Sequence, residues 1–255
     1  MKKQEIKKMA WREKAALLIF SFTPGMLVGL FLWVGELLGK VKVLHRERLK
    51  LVDLCRTLFT ANHPSWGDPP FAYYATLFKV CVKNPIKYAP LIVADRKQFF
   101  DRLKLFRPVM IPVDRGDPKK EALSFRRILE CFRQNERPGI LFVEGGRTSS
   151  GSEEEMMYSP SGEKIRRPKE GIGLLVKQLK GRIIVPIAIK GTEHVCPADP
   201  KEKHRLFTKF VFKKSVTINI GEPIIFDANL TRGEIAFKVG SKILALLDEI
   251  RQIRT

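Results

Sequence analysis

Cysteine is scarce in this sequence, and its spacing argues against two kinds of cysteine-dependent fold. Only four cysteines occur in 255 residues, and no two of them form a Cys-x-x-Cys pair. A zinc site and a disulfide framework are therefore not expected. The four residues are Cys55, Cys81, Cys131 and Cys196. Their scattered positions are typical of buried thiols in a reducing compartment.

Acidic residues are too few to balance the basic ones. The chain has 47 Lys and Arg against 27 Asp and Glu, which gives a formal net charge of +20. This excess indicates an anionic partner, which can be nucleic acid, anionic lipid or an acidic protein, and charge alone does not choose among them. The sequence carries no known nucleic-acid-binding motif, so a nucleic-acid partner is not expected.

Two common motifs of phosphate binding and hydrolysis are also missing. The sequence has no Gly-x-x-x-x-Gly-Lys loop, which argues against a nucleotide site of that type. It has no Gly-x-Ser-x-Gly elbow, which argues against a serine hydrolase or phospholipase. Any chemistry of this chain is therefore expected to depend on other residues.

Charge is absent from residues 15–35, which are largely apolar. A run of about 20 such residues is long enough to cross a bilayer. Pro24-Gly25 lies in the middle, where it would break a helix, and basic residues flank both ends. These features predict a monotopic helical hairpin on the cytoplasmic face of the cell inner membrane or plasma membrane, with the basic flanks on anionic headgroups. One tilted spanning helix and a buried pair of helices in a soluble protein are the alternatives.

The hydrophobic pattern of the rest of the chain indicates strands that alternate with helices. Strands are predicted at residues 58–61, 91–94, 109–113, 140–143, 183–189, 207–212 and 215–220. Helices are predicted at residues 69–82, 97–106, 119–134, 170–179 and 231–253. The alternation predicts an α/β domain with a mixed, largely parallel sheet flanked by helices. Residues 1–50 are expected to form the membrane anchor and residues 51–255 the α/β domain, with a long polar loop at residues 148–169.

The first candidate for chemistry is a histidine followed five residues later by an aspartate. His63 comes just after a predicted strand, and Asp68 precedes two prolines that suit the first turn of a helix. The turn between them can bring the side chains together, so that the carboxylate holds one imidazole nitrogen and leaves the other as a general base. A helix cap at Asp68 and an ordinary loop histidine are the alternative, because this spacing often arises by chance.

Two further segments place arginine just after a predicted strand. Arg115 can present its planar guanidinium to a phosphate. Gly145 and Gly146 precede Arg147, and glycine lets the backbone approach a ligand closely. Glu144 can orient an arginine or accept a hydrogen bond from a hydroxyl. An exposed arginine without a ligand and a plain glycine turn are the alternatives.

These segments, in this order, resemble four sequence blocks of the glycerolipid acyltransferases, and the chain is most similar to their 1-acylglycerol-3-phosphate acyltransferase branch. Residues 62–68 are similar to the NHxSxxD block, in which Asn62 and Ser65 support the histidine and the aspartate. Residues 111–115 resemble the second block, which ends in a phosphate-binding arginine. Residues 185–189 resemble the fourth block and read as a core strand.

The third block, FPEGTR, is similar to residues 142–147 with two departures. Val143 stands where the family usually has proline, and Gly146 stands where it usually has threonine. The glutamate, glycine and arginine positions are kept, so the departures bear on substrate fit and not on the type of reaction. Many members also have a further basic residue in the site, and Lys97 is the nearest match to it.

The resemblance implies transfer of a fatty acyl group to the sn-2 hydroxyl of 1-acyl-sn-glycerol 3-phosphate (lysophosphatidic acid), which gives phosphatidic acid in phospholipid biosynthesis. The same chemistry on glycerol 3-phosphate or another lysophospholipid is the alternative. His63 is the expected general base and Asp68 its partner, with acyl-CoA or acyl carrier protein as the donor and no metal or other cofactor. The expected phosphate-binding residues are Lys97, Arg115, Glu144, Gly145 and Arg147.

Overall fold

The computed structural model describes residues 9–196 and 214–254. The apolar N-terminal run forms two helices, α1 (Trp11–Phe22) and α2 (Pro24–Leu37). They are separated at Thr23, because Pro24 lacks the amide hydrogen that would continue α1 while its ring suits the first turn of α2. The helix break predicted at Pro24-Gly25 is confirmed.

A mixed, largely parallel sheet forms the centre of the fold, as predicted. The strands are β1 (Val41–Leu44), β2 (Thr57–Ala61), β3 (Leu91–Asp95), β4 (Met110–Val113), β5 (Gly139–Phe142), β6 (Met156–Tyr158), β7 (Lys164–Arg166), β8 (Ile183–Lys190) and β9 (Val216–Ile220). Among the described residues, seven strands form one sheet in the order β1-β9-β8-β2-β5-β3-β4, and β6 and β7 form a separate hairpin. Within the large sheet, β8 and β9 are antiparallel and the other neighbours are parallel.

Helices cover both faces of this sheet. Those after α2 are α3 (Asp68–Thr76), α4 (Phe78–Lys83), α5 (Pro85–Tyr88), α6 (Pro118–Gln134), α7 (Gly171–Gln178), α8 (Thr192–Val195) and α9 (Arg232–Arg254). Side chains of α1, α2, α3 and α4 share one buried apolar cluster, and those of α6, α7 and α9 share another. Alternate strand residues join alternate clusters: Ile140 belongs to the first and Leu141 to the second. The sheet therefore separates two apolar cores.

The N-terminal helices pack on the first of these cores. Leu17 and Phe20 of α1 and Leu32 of α2 are buried in it. Other apolar side chains of the two helices are exposed, and we call them the apolar face: Trp11, Ile19, Phe22, Leu27, Phe31, Trp33 and Leu37. Within the described residues, Trp11–Leu37 is the segment long and apolar enough to cross a membrane, by length and composition alone.

The last turn of α2 is tied to α3, the helix that begins with Asp68. Tyr74 donates a hydrogen bond to Glu36, and Arg46 forms an ion pair with the same carboxylate at 3.1 Å. Burial and the neighbouring carboxylate raise the pKa of Tyr74 to about 12, so its hydroxyl remains a donor at neutral pH. Gly29 permits a close approach of α2 to the next helix, α4, since a Cβ there would lie 1.9 Å from the ring of Phe78. The N-terminal helices therefore pack directly against the helix that carries Asp68.

Several predicted elements are corrected. The helix predicted at residues 69–82 is divided at Leu77 into α3 and α4. The helix predicted at residues 97–106 is wrong: a π-helical turn (Arg96–Phe100) is followed by a 3-10 turn (Lys104–Val109), in which Pro108 cannot donate a helical hydrogen bond. The long loop predicted at residues 148–169 contains the β6–β7 hairpin, whose three-residue strands are too short to show a period.

Two other expectations concern the ends of the fold. The strand predicted at residues 207–212 lies outside the described residues. The division of the chain at residue 50 stays a prediction, and β1, which precedes that boundary, pairs with β9 in the sheet.

Candidate active site

The predicted motif residues meet at the carboxyl ends of the central strands, where parallel sheets commonly bind ligands. Asn62 follows β2 and is buried. Its side-chain amide donates to the carbonyl of Ile189, and its side-chain oxygen accepts from the amide of the same residue, at 2.9 and 2.8 Å. The Asn62 side chain thus extends the hydrogen bonding between β2 and β8 past the end of β2.

His63 and Asp68 are in direct contact. Nδ1 of His63 and Oδ2 of Asp68 lie 2.7 Å apart, and the aspartate side chain is fully buried. The turn that joins them is closed by Ser65, whose amide donates to Asp68 at 2.8 Å and whose hydroxyl accepts from the amide of Gly67 at 3.0 Å. The imidazole ring packs on Phe142 with 4.5 Å between centroids. Since Nδ1 is occupied, Nε2 is the nitrogen left for a substrate.

Asp68 does not serve as the N-cap of α3, as the alternative interpretation required. Gly67 occupies the cap position, and Asp68 is the first residue of the helix. Its Oδ2 accepts from His63 and from the Ser65 amide in the preceding turn. Its Oδ1 accepts from the Thr192 hydroxyl at 2.5 Å. The carboxylate is therefore held on both oxygens, with Oδ2 directed at the imidazole.

Sequence reasoning missed Thr192. It begins α8 and is fully buried, two residues past the end of β8. Gly191, with φ of 101°, turns the chain so that this hydroxyl reaches the aspartate. The detectable signal was a glycine followed by a hydroxyl residue at the end of a central strand. Thr192 orients the carboxylate that orients the imidazole.

Thr192→Val is expected to lower kcat about tenfold or more with little change in KM. Valine keeps the volume but removes the donor, and a hydrogen bond to a charged group is worth roughly 1.5–3 kcal/mol. Thr192→Ser keeps the hydroxyl and should restore most of the turnover. Steady-state turnover assays and a thermal melt of each variant test this. Equal losses in the valine and serine variants would assign Thr192 to packing.

Glu144 contacts the backbone of His63 and is shielded from solvent. It is fully buried and accepts from the His63 amide at 2.6 Å, the Thr148 hydroxyl at 3.0 Å and the Arg166 amide at 2.8 Å. Burial raises the pKa of Glu144, and the donors from His63, Arg166 and Thr148 oppose that shift. A buried carboxylate with these donors is suited to hold His63 and the β6–β7 hairpin in place. It is poorly suited to contact an anionic phosphate.

The predicted cationic residues are not equally placed. A cavity of about 1120 Å³ lies beside His63, and Arg115 and Arg147 both line it. The Arg147 guanidinium lies 4.8 Å from the Trp66 ring centroid, and burial lowers its pKa. Arg115 is half exposed, with Nε 3.6 Å from an Asp95 oxygen. Lys97 is exposed on the π-helical turn and, unlike its neighbours Gln98 and Phe99, does not line the cavity.

Lys169 is a second residue that sequence reasoning missed, because it fell in the predicted loop. Its amide donates to the carbonyl of Val143 at 2.9 Å, and its side chain lines the cavity. It also explains Gly145, which has φ of 67° and where a Cβ would lie 2.9 Å from Lys169 Cγ. Gly145 and Gly146 line the same cavity. The cavity that His63 lines thus also carries three cationic side chains and backbone that a ligand can approach.

Comparison with known proteins identifies the family of this chain. A sequence profile of the family described as Acyltransferase matches residues 41–190, which include β1, the His63–Asp68 turn and β8. No protein with a curated functional description matches the sequence. The fold is similar to the crystal structure of the 1-acyl-sn-glycerophosphate (LPA) acyltransferase PlsC from Thermotoga maritima, with a TM-score of 0.64, 18% sequence identity, and coverage of 96% of this chain and 84% of that chain. This chain belongs to the Acyltransferase family.

Proposed function

We propose that this protein transfers a fatty acyl group from acyl-CoA or acyl carrier protein to the sn-2 hydroxyl of 1-acyl-sn-glycerol 3-phosphate, which gives phosphatidic acid. The observation that carries the proposal is a histidine, oriented by a buried aspartate, on the wall of a large apolar cavity that also holds cationic side chains. The cavity suits acyl chains, and the cations suit a phosphate. The similar fold of a protein that acts on lysophosphatidic acid supports the same substrate class.

His63 performs the proton transfers of the proposed reaction. Nε2 takes the proton of the sn-2 hydroxyl as the hydroxyl oxygen attacks the thioester carbonyl carbon. The carbon–sulfur bond then breaks, and the leaving thiolate receives the proton from the imidazolium. Asp68 stabilises the imidazolium between these steps and fixes the ring orientation. The acceptor hydroxyl is itself the nucleophile, so the mechanism uses no acyl-enzyme intermediate, and the acyl donor is its one co-substrate.

The acceptor phosphate is proposed to bind to the cationic side chains that line the cavity. Arg147 is half buried, and its guanidinium lies over the Trp66 ring, which favours a planar fork available for a phosphate. Arg115 and Lys169 line the same cavity from separate loops. Binding of the phosphate there would place the sn-2 hydroxyl close to His63, and such positioning lowers the barrier to transfer.

Arg147→Ala is expected to raise the KM for lysophosphatidic acid about 10- to 100-fold, the size expected when a charged hydrogen bond is lost. Arg115→Ala should raise it less, since that side chain is half exposed. The measurement is a titration of the acceptor at saturating donor. Arg126→Ala, on the exposed side of α6, is the matched control and should behave as the wild type. Unchanged acceptor KM and kcat in both cavity variants would contradict binding of the phosphate by these two arginines.

The proposed substrate is tested with a panel of acceptors. The purified protein, in phospholipid vesicles, is given palmitoyl-CoA or palmitoyl-acyl carrier protein together with lysophosphatidic acid, glycerol 3-phosphate or lysophosphatidylcholine. Mass spectrometry of the lipid products should show the highest kcat/KM for lysophosphatidic acid. Faster acylation of glycerol 3-phosphate would favour the alternative acceptor, and transfer to none of them would overturn the proposal.

The site is proposed to work at an anionic membrane surface, with α1 and α2 in the cytoplasmic leaflet. The apolar face supports this, because many exposed apolar side chains on two adjacent helices are typical of a membrane or protein contact. The net charge of +20 would attract anionic lipid and also the phosphates of CoA or the acidic surface of acyl carrier protein.

Cysteine labelling distinguishes this monotopic arrangement from a spanning helix. Lys14→Cys and Lys40→Cys, one at each end of the N-terminal helices, are both exposed positions. In a Cys131→Ser background, both are expected to react with a membrane-impermeant maleimide added from the cytoplasmic side of inverted vesicles. Reaction of one cysteine from each side of the membrane would favour the spanning helix.

A further inference from the structure

The ends of β3 and β4 carry the same dipeptide, Asp-Arg, and two ion pairs join the two copies. Asp95 ends β3 and is followed by Arg96, and Asp114 and Arg115 follow β4. The strands are parallel, with Asp95 opposite Val113, so both dipeptides lie at the carboxyl edge of the sheet. Nε of Arg96 donates to Oδ1 of Asp114 at 2.7 Å, and Nε of Arg115 lies 3.6 Å from Oδ2 of Asp95. Each arginine therefore faces the aspartate of the other strand.

The two ion pairs differ in their relation to the cavity. Asp95 and Arg115 both line it, whereas Arg96 and Asp114 do not. The Asp95 side chain is 15% exposed and the Arg115 side chain 51%. Glu121 also lines the cavity, but it is exposed and its carboxylate accepts from the amide of Gly116 at 3.0 Å. The cavity thus contains a largely buried carboxylate beside an arginine that is proposed to bind the acceptor phosphate.

The backbone fixes the position of the Asp95 carboxylate. Its Oδ1 accepts a hydrogen bond from the amide of Gln98 at 2.9 Å, which makes Asp95 the N-cap of the π-helical turn. Its Oδ2 is the oxygen that lies within ion-pair distance of Arg115. Rotation of the carboxylate away from the cavity would break the cap, which costs stability. A ligand at Arg115 therefore meets a fixed negative charge as well as a positive one.

This arrangement of charges treats two kinds of lipid headgroup differently. The phosphate of lysophosphatidic acid is a monoester with a charge of about −1.5 to −2 at pH 7, and a carboxylate close to it is repulsive. The headgroup of lysophosphatidylethanolamine has one negative charge on a phosphodiester and one positive charge on an ammonium group. Asp95 can accept a hydrogen bond from that ammonium while Arg115 contacts the phosphodiester. The ion pair thus complements a zwitterion better than it complements a dianion.

We propose that Asp95 is a specificity-determining residue of the acceptor site, and that its carboxylate reduces the preference for a phosphate monoester over a zwitterionic headgroup. Lysophosphatidic acid stays the better acceptor, but by a smaller margin than the cationic side chains alone would give. The prediction concerns the ratio of two acceptors, because specificity is a difference between two binding free energies. It rests on the proposed function, since it takes the acceptor to be a lysophospholipid whose headgroup reaches Arg115.

Asp95→Asn tests the proposal, because asparagine keeps the cap and removes the charge. With saturating palmitoyl-CoA, the ratio of kcat/KM for lysophosphatidic acid to kcat/KM for lysophosphatidylethanolamine should rise about tenfold. The KM for lysophosphatidic acid should fall and the KM for lysophosphatidylethanolamine should rise. An unchanged ratio would show that Asp95 is only a cap. A higher KM for lysophosphatidic acid would show that it only holds Arg115 in place, and either result overturns the proposal.

Asp114→Asn is the matched control. It removes the same charge from the neighbouring ion pair, and Asp114 does not line the cavity. The ratio of the two acceptors should therefore stay within about twofold of the wild type. A rise equal to that of Asp95→Asn would assign the effect to the net charge of the protein and would also overturn the proposal.

Binding without a donor separates this proposal from the proposed reaction. Isothermal titration calorimetry in detergent solution, with hexanoyl lysophosphatidic acid and hexanoyl lysophosphatidylethanolamine, gives the Kd of each acceptor for the wild type and for Asp95→Asn. The ratio of the two Kd values should shift about tenfold in favour of lysophosphatidic acid. That shift in a protein that acylates neither lipid would uphold the role of Asp95 and overturn the proposed reaction. Absence of the shift in an active protein would overturn the role of Asp95 alone.

Discussion

His63→Ala is expected to reduce kcat about 10⁴-fold, the upper end of what one general base contributes, with little change in the KM of either substrate. The imidazole is held by Asp68 through Nδ1 and by packing on Phe142, so its Nε2 occupies one position on the cavity wall. Alanine leaves the sn-2 hydroxyl without a proton acceptor, and water in the vacated space is a far weaker base. The rate is followed by release of free CoA from palmitoyl-CoA.

The control for this variant is His194→Ala. His194 is an exposed histidine on α8 whose Nε2 lies 3.7 Å from a Glu193 oxygen, and it does not line the cavity. Its replacement should leave kcat within about twofold of the wild type, as for most exposed substitutions. The His63→Ala protein should keep the thermal transition of the wild type, because the side chain is not part of either apolar core. Near-normal turnover by a folded His63→Ala protein would disprove the general-base mechanism.

Asp68→Asn is expected to reduce kcat about 10³- to 10⁴-fold while the fold is retained. Asparagine fits the same space, but its amide cannot neutralise the imidazolium, and the comparable change in serine proteases leaves the wrong imidazole tautomer. The hydrogen bonds that Asp68 accepts from Ser65 and Thr192 limit how far the new side chain can rotate. Acyl transfer at saturating concentrations of both substrates measures the loss.

Asp117→Asn is the matched control for that variant. Asp117 also precedes a proline at the start of a helix, and its carboxylate accepts from the amides of Lys119 and Lys120 as an ordinary N-cap. Asparagine is as good a cap as aspartate, so Asp117→Asn should be nearly silent. If Asp68 were only a helix cap, the two variants would behave alike, with normal turnover in both.

The variants at Asp68 and Thr192 together test which residues orient the His63 imidazole. The imidazole is oriented by a residue five positions away in sequence, and that residue is oriented by one 124 positions away. On the other side, Glu144 holds the His63 backbone and the start of β7. The His63 side chain is thus positioned by contacts from three segments of the chain.

The sequence by itself determined the local features of this protein. Pro24 places the break between α1 and α2, since a proline acts on its own backbone and on the preceding turn. Strands β2, β4 and β5 lie within about one residue of their predicted ends, because buried strands are short runs of apolar residues. The contact of His63 with Asp68 was also predictable, because both lie in one turn.

The tertiary structure alone decided what distant segments bring to the site. Thr192 reaches Asp68 only because β8 lies next to β2, and Lys169 lies beside Gly145 only because the β6–β7 hairpin returns the chain to the end of β5. Periodicity along a chain reports which side of an element is buried, whereas these contacts depend on strand order and register. Sequence therefore identified the His63–Asp68 pair, and the packed sheet decided which residues orient it.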